Sequence, residues 1–320
     1  MILQPWLKKF WVDQTVKQNN MAYHRPVLLS ESIEALNIQP GGIYLDLTFG
    51  GGGHSLQILK KLGKNGRLLA FDQDPDAAQN LLDDKRFTFV NANFRYLKNF
   101  LRFYHIPKVQ GILADLGISS YQIDKAERGF SFRSKSELDM RMNQKAGKSA
   151  ADVLNTYKEE ELIRIFREYG ELRNAGTIAR VILKARASSS ITTTTQLAEL
   201  LEKMAPHNQR SKFMARIYQA IRIEVNEELE ALKEMLLQTT ECLEAGGRLV
   251  VITYHSLEDR LVKNFMKSAN LEGEVKKDFY GQPLSCWKII NRKVIVPGEE
   301  ELKQNNRARS AKLRIAEMIE

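Results

Sequence analysis

Hydrophobic positions in the first third of the chain fall in short runs separated by amphipathic stretches. The runs at 43–47, 67–71, 87–90 and 111–114 read as buried strands, and helical spacing fills the gaps at 55–62, 76–82 and 94–103. Strand and helix in alternation predict a parallel sheet covered on both faces. The next run of this type, RLVVIT at 248–253, comes more than 130 positions later. Between them the pattern is helical. Leu162, Ile163, Phe166 and Tyr169 share a face before Gly170. Thr193 and Gln196 form a capping box, and Phe213, Ile217, Ile221, Val225 and Leu229 line one side of a long helix. The expected organisation is α/β: an N-terminal extension (1–20), a sheet domain (21–124 and 216–320) and an inserted all-helical substrate domain (125–215).

The first strand runs into four glycines and a histidine, YLDLTFGGGGH at 44–54. Glycines after a strand and before a helix let a ligand approach the backbone. The second strand ends in Asp72, placed to accept hydrogen bonds from a ribose. A nucleoside-containing cofactor is therefore expected. The dinucleotide fingerprint G-x-G-x-x-G fits poorly, because Ser55 stands where the third glycine belongs, or Leu56 if the frame shifts. Asp46, beside the loop, would repel a pyrophosphate and favour the cationic sulfonium of S-adenosylmethionine. A tight turn with no ligand is the plainer alternative.

At 320 residues and 43% hydrophobic content, the chain has room for two domains. Cys242 and Cys286 form no C-x-x-C pair, and the five histidines are scattered, so a reducing compartment and no metal site are expected. No run approaches the ~18 apolar residues of a membrane span. The first twenty residues carry Trp6, Phe10 and Trp11 but lack the core of a signal peptide, so they read as a frayed extension of a cytoplasmic protein. Net charge is +9. Positions 125–215 hold 17 Lys/Arg against 11 Asp/Glu, and 305–314 hold four basic groups and no acid. Two basic regions favour a polyanion, most simply nucleic acid.

Several segments resemble the bacterial small-subunit rRNA cytosine-N4 methyltransferases, the MraW or RsmH family. They are HRPVLLSE (24–31), DLTFGGGGHS (46–55), DLGISSYQID (115–124), RGFSF (128–132), LDMRM (138–142), YGE (169–171), QAIRIEVNEEL (219–229), GGRLVVITYHSLEDR (246–260) and RARSAKLR (307–314). The resemblance implies a class I, Rossmann-like methyltransferase sheet with a helical insert, using S-adenosylmethionine to methylate N4 of a decoding-centre cytidine of 16S rRNA, position 1402 in the usual rRNA numbering. It implies cofactor contacts from Gly52, Gly53, His54, Asp72, Phe94, Asp115 and Gln122, with 16S rRNA or the small ribosomal subunit as partner; a homodimer stays open. The chain departs from the family in SKSE (134–137) before LDMRM, Asn143 after it, and the wording of 205–212.

Direct transfer to an exocyclic amine needs alignment and a proton acceptor. Asp115 and His255 are the candidate catalytic residues, although Asp115 could hold only the cofactor and His255 only a helix end. His24 is a possible substrate contact. Asp139 and Arg141 could touch RNA or pair with each other. Methylation at ring carbon would need a cysteine nucleophile at the fourth-strand position, which reads Asp115-Leu116-Gly117 instead. A catalytically dead ribosome-assembly factor and a nicotinamide oxidoreductase are the remaining alternatives.

Overall fold

Seven strands build one sheet in the order β3-β2-β1-β4-β5-β7-β6. They are β1 (Ile43–Asp46), β2 (Arg67–Phe71), β3 (Phe87–Val90), β4 (Val109–Asp115), β5 (Leu243–Thr253), β6 (Trp287–Ile289) and β7 (Lys312–Met318). The first five pair in parallel, and β7 runs antiparallel to β5 and β6. The computed structural model describes residues 26–275, 277–281 and 285–319; Trp6, Phe10, Trp11 and His24 lie outside them.

Strand order reverses between β1 and β4, the switch point where open α/β sheets bind ligands beyond their carboxyl ends. Alternation along each strand feeds two cores. Leu45, Ile112, Ala114, Leu249 and Val251 point to one side, packed by α3 (Leu97–Phe103), α10 (Glu228–Cys242) and α11 (Ser256–Ser268). Tyr44, Leu113, Val250 and Ile252 point to the other, against α1 (Leu29–Ala35) and α2 (Gly53–Lys61). Both faces are buried, so the strands read as unbroken apolar runs.

The four early strand expectations hold within about two residues; the fifth ends at Thr253 as expected, but β5 starts at Leu243, ahead of the apolar run. Two helix expectations change. Positions 76–82 form only a 3-10 turn (Pro75–Asn80), entered through Pro75 with Asp74 Oδ1 accepting from the Asp76 N–H. The expected long helix ending near Leu229 is broken: α9 (Arg210–Asn226) stops where Glu227 adopts φ 50°, and α10 begins at Glu228.

The basic tail is also not what its composition suggested. RARSAKLR enters β7, between β5 and β6, and its charges Lys312 and Arg314 pair with Asp259 at 3.2 and 2.7 Å. Only Lys312–Arg314 of this run lie in the interior strand, so deleting the run would remove core; Arg307 and Arg309 are exposed in the 3-10 turn before it (Asn306–Ser310).

The chain divides into two units, one holding residues to Gly117 and from Ala231, the other Ile118–Glu230. The second reaches further at its end than 215 because α9 continues to Asn226. Among its described residues it contains helices α4 (Ser120–Asp124), α5 (Ala150–Thr156), α6 (Glu159–Glu168), α7 (Ala175–Ser188), α8 (Thr194–Leu201) and α9, with their own apolar core. The Thr193–Gln196 capping box opens α8 as expected.

Two sequence motifs find a structural role inside this unit. Arg128 of RGFSF is only 2% exposed, and its Nη2 donates to the carbonyls of Arg141 and Met142 at 3.0 and 2.9 Å. Gly129 has φ +73°, and a Cβ there would lie 2.5 Å from the Glu137 carbonyl. Arg141 grips Asp139 through two hydrogen bonds of 2.8 and 2.9 Å. LDMRM is thus held to RGFSF by a buried guanidinium, and Asp139 pairs with Arg141. Arg128→Met should destabilise this unit by about 2–4 kcal/mol, since it strands two buried carbonyls. Chemical denaturation checks it; a loss below ~0.5 kcal/mol would mean the guanidinium is dispensable.

Candidate active site

The loop between β1 and α2 sits at the carboxyl ends of the parallel strands, with the acid-bearing ends of β2 and β4 on the same side of the sheet. Asp46 is 1% exposed, with both oxygens engaged: Oδ1 accepts from the Thr48 N–H (3.1 Å) and Oδ2 from Ser55 Oγ (2.6 Å). It therefore fastens the loop to α2. Ser55, which breaks the dinucleotide fingerprint, is the other half of this clamp.

Asp72 ends the β2 side and is half-buried. Its Oδ2 accepts from the Gly50 N–H (2.7 Å) and its Oδ1 from the Asp74 N–H (2.8 Å). Asn80 holds the Gly50 carbonyl at 2.9 Å, and Asn91 holds the Asp72 carbonyl at 2.9 Å. Asp115 ends β4 with its side chain 21% exposed. Its main-chain N–H donates to Thr48 Oγ1 (2.7 Å), and its Oδ1 accepts from Tyr254 Oη (2.7 Å).

Burial dominates the electrostatics. It pushes Asp46 up to about 6, Asp72 up to about 7 and Asp115 up to about 7; repulsion by Asp74 and Asp46 adds to the rise at Asp72, and repulsion by Asp46, Glu258 and Glu301 to that at Asp115. Burial also drives His54 down to about 4, leaving a neutral imidazole at pH 7. Its Nδ1 lies 3.9 Å from Asp115 Oδ2, and its Nε2 is a buried polar atom without a hydrogen-bond partner. Desolvated carboxylates of this kind are relieved by a cation and by hydroxyl donors. A sulfonium, an ammonium and a ribose supply both, so the residues fit the methyl donor.

The glycines work differently from the sequence expectation at two positions. Gly52 has φ +75°, and a Cβ there would meet the Phe49 ring at 3.0 Å; at Gly53 it would lie 2.2 Å from Pro26 Cγ. These two clear space for the protein's own packing at the start of α2. Gly52→Ala should cost about 1–2 kcal/mol through the left-handed backbone alone. Equal thermal stability of the variant and the parent would contradict this.

Of the other expected residues, Phe94 starts a 3-10 turn capped by Asn93 and is partly buried beside the β4 core. Gln122 belongs to the helical unit, where its Oε1 accepts from the Ser119 N–H in a capping box at α4. His255 is the N-cap of α11: its Nδ1 accepts from the Glu258 N–H at 3.4 Å, and its Nε2 is 3.2 Å from Glu258 Oε1 without hydrogen-bond geometry. Sequence reasoning missed Tyr254 and Thr48. Tyr254 lies at the end of a strand beside a flagged histidine, which was the available signal. Cys242 is far from this chemistry, next to Leu243, which pairs with Val109 at the opposite end of β4; burial raises its thiol to about 11. Among the described residues, no helix is long and apolar enough to cross a membrane.

A sheet of this order, with a β1 glycine loop and carboxylates ending β2 and β4, defines a class I methyltransferase that uses S-adenosylmethionine. The chain belongs to the MraW methylase family, whose model matches residues 21–319. It is 57% identical over 302 residues to "Ribosomal RNA small subunit methyltransferase H" of Bacteroides fragilis, covering 94% of this chain and 99% of that one. The protein of the same name from Flavobacterium johnsoniae is 58% identical over 299 residues, covering 93% and 99%.

Proposed function

We propose that this protein methylates the N4 amine of the decoding-centre cytidine at position 1402 of 16S rRNA. The observation that carries the reading is the 57% identity, over 94% of the chain, to a protein named as a methyltransferase of small-subunit ribosomal RNA. The basic character of the helical unit supports an RNA substrate. Arg133, Lys135, Lys145, Arg173 and Lys184 are all exposed there, where phosphates can be met.

In this reading Gly52, Gly53 and His54 place backbone and imidazole beside the methyl donor, and Asp72 accepts from its ribose. Phe94 and Asp115 complete the contacts made by the sheet unit. When bound, S-adenosylmethionine supplies an electrophilic methyl group on sulfonium. The amine of cytosine is a poor nucleophile because its lone pair is delocalised into the ring, so alignment carries most of the acceleration. As the carbon–nitrogen bond forms, the carbon–sulfur pair stays on sulfur. The surplus N–H proton passes to Asp115, whose carboxyl titrates close to neutrality and can both take and return it. His255 is left out, because its Nδ1 is engaged in the helix cap.

Nucleoside mass spectrometry of 16S rRNA from cells lacking the gene tests the reading. N4-methylcytidine should vanish and return on complementation with the parent chain, and stay absent with Asp115→Asn. Persistence of the modified nucleoside in the deletion strain would sink it.

A further inference from the structure

Tyr254 follows the last residue of β5 and is fastened at both ends. Its Oη donates to Asp115 Oδ1 at 2.7 Å, and its backbone N–H donates to Glu258 Oε2 at 2.9 Å. Gly117 adopts φ +93°, and a Cβ there would lie 3.4 Å from Tyr254 Cδ2, so the glycine backbone forms part of the ring's seat. Asp115 is fixed from the other side by Thr48, through its main-chain N–H. One carboxylate oxygen is therefore held. The other, Oδ2, faces His54 Nδ1 at 3.9 Å.

We propose that Tyr254 is the positioning residue of Asp115, holding Oδ1 so that Oδ2 is the oxygen presented to the substrate amine. This rests on the reading of Asp115 as proton acceptor. A carboxylate free to rotate offers either oxygen in many directions; one clamped by a short hydrogen bond offers a defined lone pair. The same bond stabilises the ionised form. It works against burial and against the carboxylates that face Asp115: Asp46 on β1, Glu258 on α11 and Glu301 on α12 (Glu299–Gln304). His54 on α2 is neutral and adds no compensating charge. Burial, Asp115 itself and the charges of Glu258 and Glu301 raise the Tyr254 phenol well above its ordinary range, so it remains a donor throughout the working pH.

The test is Tyr254→Phe in the full chain, with two readouts. The first is a carbon-13 carboxyl titration of Asp115 in the protein without cofactor, assigned by comparison with Asp115→Asn. The midpoint should rise by about one pH unit when the hydroxyl is removed. The second is the pH–rate profile of methyl transfer to rRNA, whose acid limb should move up with the carboxyl. The rate should then fall about tenfold at pH 6.5 and less than threefold at pH 8.5, with KM for RNA unchanged. Gly117→Ala, which strains the left-handed backbone under the ring but keeps the hydroxyl, should move the titration in the same direction by less. An Asp115 midpoint that stays in place in both variants overturns the proposal. A midpoint that moves while the acid limb does not upholds Tyr254 as the holder of Asp115 and removes Asp115 from proton transfer.

Discussion

Asp72→Ala is expected to weaken S-adenosylmethionine binding by about 1–3 kcal/mol, roughly 5- to 150-fold, the range for a hydrogen bond to a charged group. The carboxylate does two things at once. It stands half-buried at the end of β2, where a ribose would meet it, and its two oxygens already hold the N–H groups of Gly50 and Asp74. Removal therefore takes away an acceptor for the ligand and loosens the loop that shapes the site. Asp72→Asn separates the effects, since it keeps the shape and one acceptor while turning a donor toward one of the two N–H groups. Calorimetry should show the alanine variant impaired in affinity, with amide exchange at Gly50 and Asp74 accelerated. Unchanged affinity would place the ribose elsewhere.

The second large effect is a pH dependence of cofactor binding. Asp46, Asp72 and Asp115 titrate near 6, 7 and 7 in the folded chain against 3.8 for an ordinary aspartate. Their folded values are raised, so the fold holds these protons more tightly than the unfolded chain does. The associated stability is fully present below about pH 4 and is lost as pH rises through 6–7. A cationic ligand favours the ionised carboxylates, so its binding should release protons. Affinity should rise about tenfold between pH 5.5 and 7.5, above which the ligand's own amino group begins to lose its charge. Calorimetry in buffers of different ionisation enthalpy at pH 6.5 measures the release directly. Proton uptake, or an affinity that falls across this window, would show that the carboxylates are not what receives the cation.

The residues of the site were easier to find than their roles. Asp72 and Asp115 stood out because each ends an apolar run, and a strand is legible from local burial. Asp46 was noticed as a charge beside a glycine loop, but its role as the partner of Ser55 depends on a bond across nine residues that no local pattern encodes. His255 looked like chemistry and caps a helix. Tyr254 looked like nothing and holds Asp115 across 139 positions. Arg128 read as part of a basic insert and is instead a buried brace for LDMRM.

Local periodicity by itself determined the parallel α/β core, the helical insert and the ends of four early strands, because a strand buried on both faces must be apolar throughout and a helix must repeat at its own pitch. The sequence also determined the family, through motifs spread from 24 to 314. Only the tertiary structure decided that the end of the basic C-terminal run enters an interior strand and which glycines yield to the protein's own packing. It also decided which oxygen of each carboxylate is already engaged. Those facts depend on contacts between residues distant in the chain, where charge and composition carry no information about the partner.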